Sequence, residues 1–298
     1  MKEKNASSTA FTVLQGLLHV AASDDHGYLI DKSVADAGRR ILQGSPEGRQ
    51  RLRQIERPWS RLSVRLRERL LLPGITVHYA LRKRYVEEQV RKAVEQGCTQ
   101  VVILGAGFDP LAWRFAHERA DVQFIEIDHP ATQKQKATAL VGGESKVPDN
   151  LCFLSVDFTQ QSLQEALQGC PSFDGSRHSI YVCEGVLMYL DEPDIDAVFE
   201  AISTLSGEGA QLLFTAVEPA ESPRNNVKSL LFTYLKLINE PIRWTASRDD
   251  LEDFVKRHGC DLVEQAGTDE LKSKFVKSSS SYTYHYGEHF GLCRFLGS

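Results

Sequence analysis

Val101-Val102-Ile103-Leu104-Gly105-Ala106-Gly107-Phe108-Asp109-Pro110 is the stretch whose reading decides the fold. Four apolar residues, three of them β-branched, fit a short strand buried on both faces. The glycines mark a tight turn, and Pro110 suits the first turn of a following helix, where its missing N–H costs nothing. A strand, a glycine turn and a helix together read as the opening of a βα unit. Downstream, further strand patterns are expected over 122–128, 151–157, 179–183, 210–217, 261–265 and 289–296. Helical patterns separate them over 111–120, 130–140, 162–167, 195–205 and 249–258. Strands alternating with helices of about ten residues indicate a mostly parallel sheet covered on both faces. The expected fold is therefore α/β, a Rossmann-like doubly wound sheet of seven strands.

Upstream of this core, residues 1–98 read as a helical extension of the same domain, on the lid and substrate side. Phe11, Leu14, Leu17, Leu18 and Ala21 recur at helical spacing, and Gln15 and His19 interrupt what a signal peptide would keep apolar. Over 49–70, Leu52, Ile55, Trp59, Leu62, Leu66 and Leu70 form a stripe with Pro58 as a kink or boundary. Arg49, Arg53, Arg57, Arg61, Arg65 and Arg69 run beside it. They are either the solvated flank of an amphipathic helix or a basic surface for an acidic or carrier-protein-bound acceptor. Residues 218–245 read as an insertion carrying an apolar helix over 230–238, a second candidate lid element.

Composition narrows the class. The chain has 298 residues, 42% hydrophobic and 25% charged, with a formal net charge of −5. That balance gives no support to a nucleic-acid binder, and no stretch approaches the ~20 apolar residues of a membrane span. Cys98, Cys152, Cys170, Cys183, Cys260 and Cys293 contain no CxxC pair, which argues against a metal site and for reduced thiols in a cytoplasmic protein.

Ligands of an open parallel sheet bind beyond the carboxyl ends of its strands, where the strand order reverses. The residues expected there are Gly105, Ala106 and Gly107 after the first strand, Asp128 after the second, Asp157 after the third and Glu184 after the fourth. Glycine would let a ligand approach the backbone amides. Asp128 stands 23 residues after Gly105, the spacing at which a carboxylate receives ribose hydroxyls. Asp157 could accept from an adenine amine. Each acid also has a structural reading as a helix cap, which does not exclude a ligand. A nicotinamide dinucleotide would call for GxGxxG, but the third glycine is replaced by Pro110, and Asp109 would repel a pyrophosphate. A phosphate-free, positively charged nucleoside such as S-adenosylmethionine suits these acids better. An oxidoreductase and an inactive cofactor-binding module remain the competing readings.

The glycine run, Trp113-Arg114, Glu126-Ile127-Asp128-His129-Pro130 and Glu184-Gly185-Val186-Leu187-Met188-Tyr189-Leu190 resemble the leucine carboxyl methyltransferase family. The upstream segment Arg82-Lys83-Arg84-Tyr85-Val86-Glu87-Glu88 is similar to an arginine-bearing helix of that family, and Ser8-Thr9-Ala10 adds a match near the start. The resemblance implies an S-adenosylmethionine-dependent methyltransferase transferring to oxygen. It implies that Arg82 pairs with the cofactor's carboxylate and that Gly105, Ala106, Gly107 and Gly185 line its methionine part. Asp128 and His129 would hold the ribose side, Asp157 and Phe158 would flank adenine, and Glu184 would meet the ammonium. Tyr189 would stand by the acceptor. The chain departs from relatives that methylate a protein's C-terminal leucine. It has Asp31-Lys32 where they carry Asp-Pro, and it lacks their lysine-bearing N-terminal region. The expected acceptor is a small molecule bearing a carboxylate or a hydroxyl. For a hydroxyl, His78, His129, His285 and His289 are the candidate bases.

Overall fold

In the computed structural model, which describes residues 6–57, 68, 72–142, 146–227, 241–277 and 282–296, the strand patterns assemble into one seven-stranded sheet. Its strands are β1 (Gln100–Leu104), β2 (Gln123–Asp128), β3 (Leu151–Ser155), β4 (Ser179–Cys183), β5 (Gln211–Val217), β6 (Cys260–Ala266) and β7 (Glu288–Phe295). The order is β3-β2-β1-β4-β5-β7-β6. The first five are parallel, and β7 runs antiparallel between β5 and β6. The chain winds outward from β1 to β3, then crosses back to β4 on the other side of β1. The topological switch point therefore lies between the carboxyl ends of β1 and β4, where Gly105 and Glu184 follow directly.

Strand alternation divides the side chains between two cores. Val101, Ile103, Phe124, Ile180, Val182 and Leu213 face one side, with the N-terminal helices. Val102, Leu104, Ile125, Ile127, Tyr181, Leu212 and Phe214 face the other. The first layer contains α1 (Ser8–Ala21), α2 (Lys32–Gln43), α4 (Ile75–Glu95) and α5 (Leu111–Glu118); α3 (Pro46–Glu56) and α6 (Pro130–Val141) pack beside them. The second is built by α7 (Leu163–Gln168), α8 (Glu192–Leu205) and α9 (Leu251–Arg257). The helix α10 (Thr268–Phe275), absent from the sequence expectations, packs against α4 and β6. The N-terminal region shares its core with the sheet, so no packing boundary falls near residue 98.

Several local choices shape the approach to the switch point. Ser7 caps α1, its hydroxyl accepting the Ala10 N–H at 3.2 Å. The apolar stripe Phe11, Leu14, Leu17 and Leu18 is buried, and Phe11 meets Phe108 edge-on at 4.8 Å. The amphipathic segment is thus seated directly over the glycine loop. The arginine-rich helix is shorter than its stripe: α3 ends at Glu56, and Arg57 turns extended, as the residue before a proline prefers. Residues 58–67 and 69–71 of that stripe, and the expected helix over 230–238, lie outside the described residues. Among the described residues no helix is long and apolar enough to cross a membrane.

Among the inward positions that break the apolar pattern, one carries a full charge pair. Glu126 on β2 is fully buried and pairs with the equally buried Lys136 of α6 at 2.6 Å. Burial pushes the Glu126 carboxyl up to about 7. Removing one member of a buried pair leaves the other uncompensated, typically at about 3–5 kcal/mol. Lys136→Met is expected to lower unfolding stability by that order above neutral pH, measured by urea denaturation. Glu126→Gln combined with Lys136→Met should recover most of the loss.

Candidate active site

A cavity of about 390 Å³ opens over the switch point, within the range of small-molecule sites. Its floor is the glycine loop with Asp109 and Asp128, one wall is Glu184, Gly185, Val186 and Tyr189, and α4 contributes Arg82 and Lys83. The roof is α1, through Thr9, Ala10, Val13, Leu14 and Leu17, and Leu190, Pro241 and Arg243 close the rim. Of the expected residues, Arg82, Gly105, Ala106, Gly107, Asp128, Glu184, Gly185 and Tyr189 meet here. His129, Asp157 and Phe158 do not line this cavity.

The glycine loop works differently from the sequence expectation. Its amides are already engaged: Gly105 and Ala106 N–H donate to Ile127 O at 2.9 and 3.2 Å, and Gly107 N–H donates to Asp128 Oδ2 at 2.6 Å. Glycine is required at 105 for shape, since φ is +67° and a Cβ would lie 2.4 Å from Val186 Cγ2. The loop's role is therefore to hold a carboxylate rather than to present free N–H groups. Asp128 Oδ1 accepts a second amide, His129 N–H, at 2.7 Å. Burial raises the Asp128 pKa, and the two amides oppose that rise. Each oxygen retains a lone pair for a hydroxyl donor.

The charged floor is a chain of ion pairs. Glu184 Oε1 is 2.5 Å from Arg82 Nε, and its Oε2 is 2.8 Å from Lys83 Nζ. Lys83 also reaches Asp109 Oδ2 at 2.7 Å. Burial alone would lower the Lys83 pKa, but Asp109 and then Glu184 outweigh it and raise it. The Asp109 carboxyl is held low by Lys83 against its own burial. Arg82 Nη1 donates to both oxygens of Glu288, at 3.0 and 2.9 Å. Lys83 and Glu288 were not singled out as site residues from sequence. Two adjacent cations on one helix, Arg82 and Lys83, were the available signal, given acids expected at one sheet edge. Glu288 gave no such signal, because its place depends on β7 running backwards.

The remaining expected residues have structural partners. His129 caps α6, its Nδ1 accepting Ala131 N–H at 3.3 Å. Asp157 is half-buried and receives Thr159 N–H and hydroxyl at 3.0 and 2.6 Å; those bonds, led by the hydroxyl, lower its pKa. Phe158 beside it is 54% exposed. Of the candidate bases, His78, His285 and His289 are buried and line no part of the cavity. His78 Nε2 donates to Glu288 Oε2 at 2.7 Å, and the His285 ring packs edge-on against His78.

Fold and site together have the form of a class I S-adenosylmethionine-dependent methyltransferase. The leucine carboxyl methyltransferase family model matches residues 28–203, more than half of the chain, and the chain belongs to that family. A Mycolicibacterium paratuberculosis protein named as a candidate S-adenosyl-L-methionine-dependent methyltransferase is 27% identical over 67% of this chain and 66% of its own length. A Bacillus subtilis protein of the same description is 23% identical over 69% of each chain. The matched regions thus span about two thirds of these relatives. Among solved structures, a DUF574 family protein from Streptomyces avermitilis superposes with a TM-score of 0.61 over 98% of both chains at 13% identity. A candidate methyltransferase from Thermobifida fusca gives 0.57 over 87% of this chain and 94% of its own, at 15% identity. At such identities these two likenesses speak for the fold alone.

Burial pushes the pKa of His285 down to about 3, from an ordinary 6.5. A depressed folded pKa means that the unfolded chain binds more protons, so the stabilisation present above pH 6.5 is lost as pH falls towards 3. His285→Phe removes this titration. Its stability relative to the native protein is expected to improve by up to about 1.4 kcal/mol per pH unit below 6.5, in denaturant melts across pH. A pH-independent difference would show that His285 does not carry the acid sensitivity.

Proposed function

We propose that the protein is an S-adenosylmethionine-dependent O-methyltransferase whose acceptor is an ionised carboxylate on a small molecule with an apolar body. The observation that carries this reading is the cavity lining: strand-end acids with Arg82 and Lys83 beside them and Arg243 at the rim, and no imidazole among the described residues. The lining charges are Asp109, Asp128 and Glu184 against Arg82, Lys83 and Arg243, three of each sign, and Arg243 at the rim is matched by Asp191 at 2.7 Å. Of the lining acids only Asp128 makes no ion pair among the described residues, which leaves one unmatched carboxylate for a ligand whose sulfonium carries an unbalanced positive charge. Asp128 would receive the ribose hydroxyls, Glu184 the ammonium and Arg82 the carboxylate. Phe158 and Asp157, further out on the same edge, would flank adenine.

When bound, S-adenosylmethionine supplies a methyl group on sulfur that is already activated for displacement. The chain's residues then have to align an oxygen nucleophile behind that methyl, and such alignment is worth up to about 7–11 kcal/mol. A hydroxyl acceptor would need a base. The cavity's carboxylates are poor candidates: Asp109 and Glu184 are tied to cations, and Asp128 is bonded to amides. A carboxylate acceptor needs none, since it is ionised at neutral pH. Ala10, Val13, Leu14 and Leu17 of α1 offer its body an apolar wall, and Tyr189 stands opposite.

A nicotinamide dinucleotide finds less support. The N-terminus of α5, where a pyrophosphate would dock, is occupied by Asp109 Oδ1 accepting Leu111 N–H at 3.0 Å. Calorimetric titration is expected to show binding of S-adenosylmethionine and S-adenosylhomocysteine but not NAD, with Asp128→Ala weakening the first two at least tenfold. Methyl transfer from labelled cofactor to a metabolite extract should give base-labile products, as esters are. Base-stable products would mean an acceptor other than a carboxylate. Cofactor binding without transfer would favour an inactive binding module, and NAD binding alone would overturn the reading.

A further inference from the structure

We infer that Glu288 is the positioning residue for cofactor recognition: it fixes the guanidinium of Arg82 so that one edge faces the carboxylate of the bound methionine moiety. This rests on the cofactor reading above and adds to it a residue from the antiparallel strand, far in sequence from every motif.

The geometry begins with topology. An antiparallel strand begins where its parallel neighbour ends, so Glu288, the first residue of β7, pairs with Val217, the last of β5. The reversed strand thereby delivers a side chain to the same carboxyl edge as Glu184. Its backbone is pinned there, with Glu218 N–H donating to Gly287 O at 2.7 Å. Its side chain is 5% exposed and spans Arg82 and His78.

The division of the Arg82 donors follows. Nε faces Glu184, and Nη1 is shared between both oxygens of Glu288. Nη2 makes no hydrogen bond to the described residues. A Cβ on Gly185 would stand 3.6 Å from both Nη atoms, so glycine at 185 (φ +68°) keeps space open beside them. Arg82, Glu184 and Gly185 line the cavity, whereas Glu288 and His78 do not. Glu288 therefore grips the guanidinium from behind and does not compete for the ligand's face. An arginine side chain has several freely rotating bonds, and ordering them before binding removes that entropy from the cost of recognition. His78 holds the second oxygen of Glu288 and so keeps the carboxylate in register.

The test compares two probes on the full-length protein: S-adenosylmethionine and its decarboxylated analogue, which keeps the sulfonium, ribose and adenine. Glu288→Gln is expected to weaken S-adenosylmethionine roughly tenfold to a hundredfold and to leave the analogue within about twofold. Equal weakening of both probes would mean a general structural role and overturn the proposal. So would no change, and so would tighter binding, the mark of a competitor for Arg82.

If the single variant does not fold, Arg82→Gln and Arg82→Gln/Glu288→Gln carry the test, because removing both charges of a buried pair is better tolerated than removing one. The two should bind S-adenosylmethionine equally, since Glu288 would have nothing left to position. A further loss in the double variant would contradict the inference. Native protein that binds both probes equally well would remove the Arg82 contact and this proposal, leaving the cofactor assignment standing. Native protein that binds neither would overturn both.

Discussion

Burying Arg82 beneath the carboxyl edge of the sheet is the constraint from which the site takes its form. A guanidinium at 6% exposure is costly to desolvate unless carboxylates meet it with good geometry. Two do, and they come from opposite ends of the chain's winding. Glu184 follows β4 and Glu288 opens β7, while Arg82 itself lies on α4, before the first strand. Lys83 extends the chain of pairs to Asp109 in the loop after β1. One charged cluster thus ties together the helix that precedes the sheet, both strands of the switch point and the reversed strand. Such a network is weak as a source of net stability but strict about geometry, because breaking it leaves a charge unpaired.

The same cluster explains why the site suits a cation with a zwitterionic tail and not a phosphate. Every cation lining the cavity is already matched by an acid, and the α5 N-terminus is closed by Asp109. The glycine loop spends its amides on Ile127 and Asp128. What remains for a ligand includes acceptor capacity at Asp128 and Glu184 and the open edge of Arg82. α1 completes the chamber with an apolar roof, anchored by Phe11 on Phe108.

The parallel sheet was legible in the sequence because its strands are short apolar runs ending in glycine or acid, each followed by a helix. Asp128 and Glu184 were legible for the same reason, since strand ends in such a sheet converge on one edge. Asp157 was equally visible, yet it belongs to an outer strand and turns to Thr159, outside the cavity. Spacing reports which edge a residue reaches, not how far along it. The use of the glycine amides was hidden, because it depends on how β1 and β2 stagger. Glu288 was hidden more deeply: the pattern over 289–296 reads the same for either strand direction, and only the antiparallel pairing brings its first residue to the site. Helix α10 went unread because its eight residues are mostly polar, with Leu271 as its one large buried side chain.

The most direct measurement is a crystal structure of the complex with S-adenosylhomocysteine. The account predicts the ribose hydroxyls on Asp128, the amino-acid carboxylate on the open edge of Arg82 with its contacts to Glu184 and Glu288 retained, and α1 covering the ligand. A nucleoside bound away from Asp128, or an Arg82 that must abandon both carboxylates to reach the ligand, would contradict it.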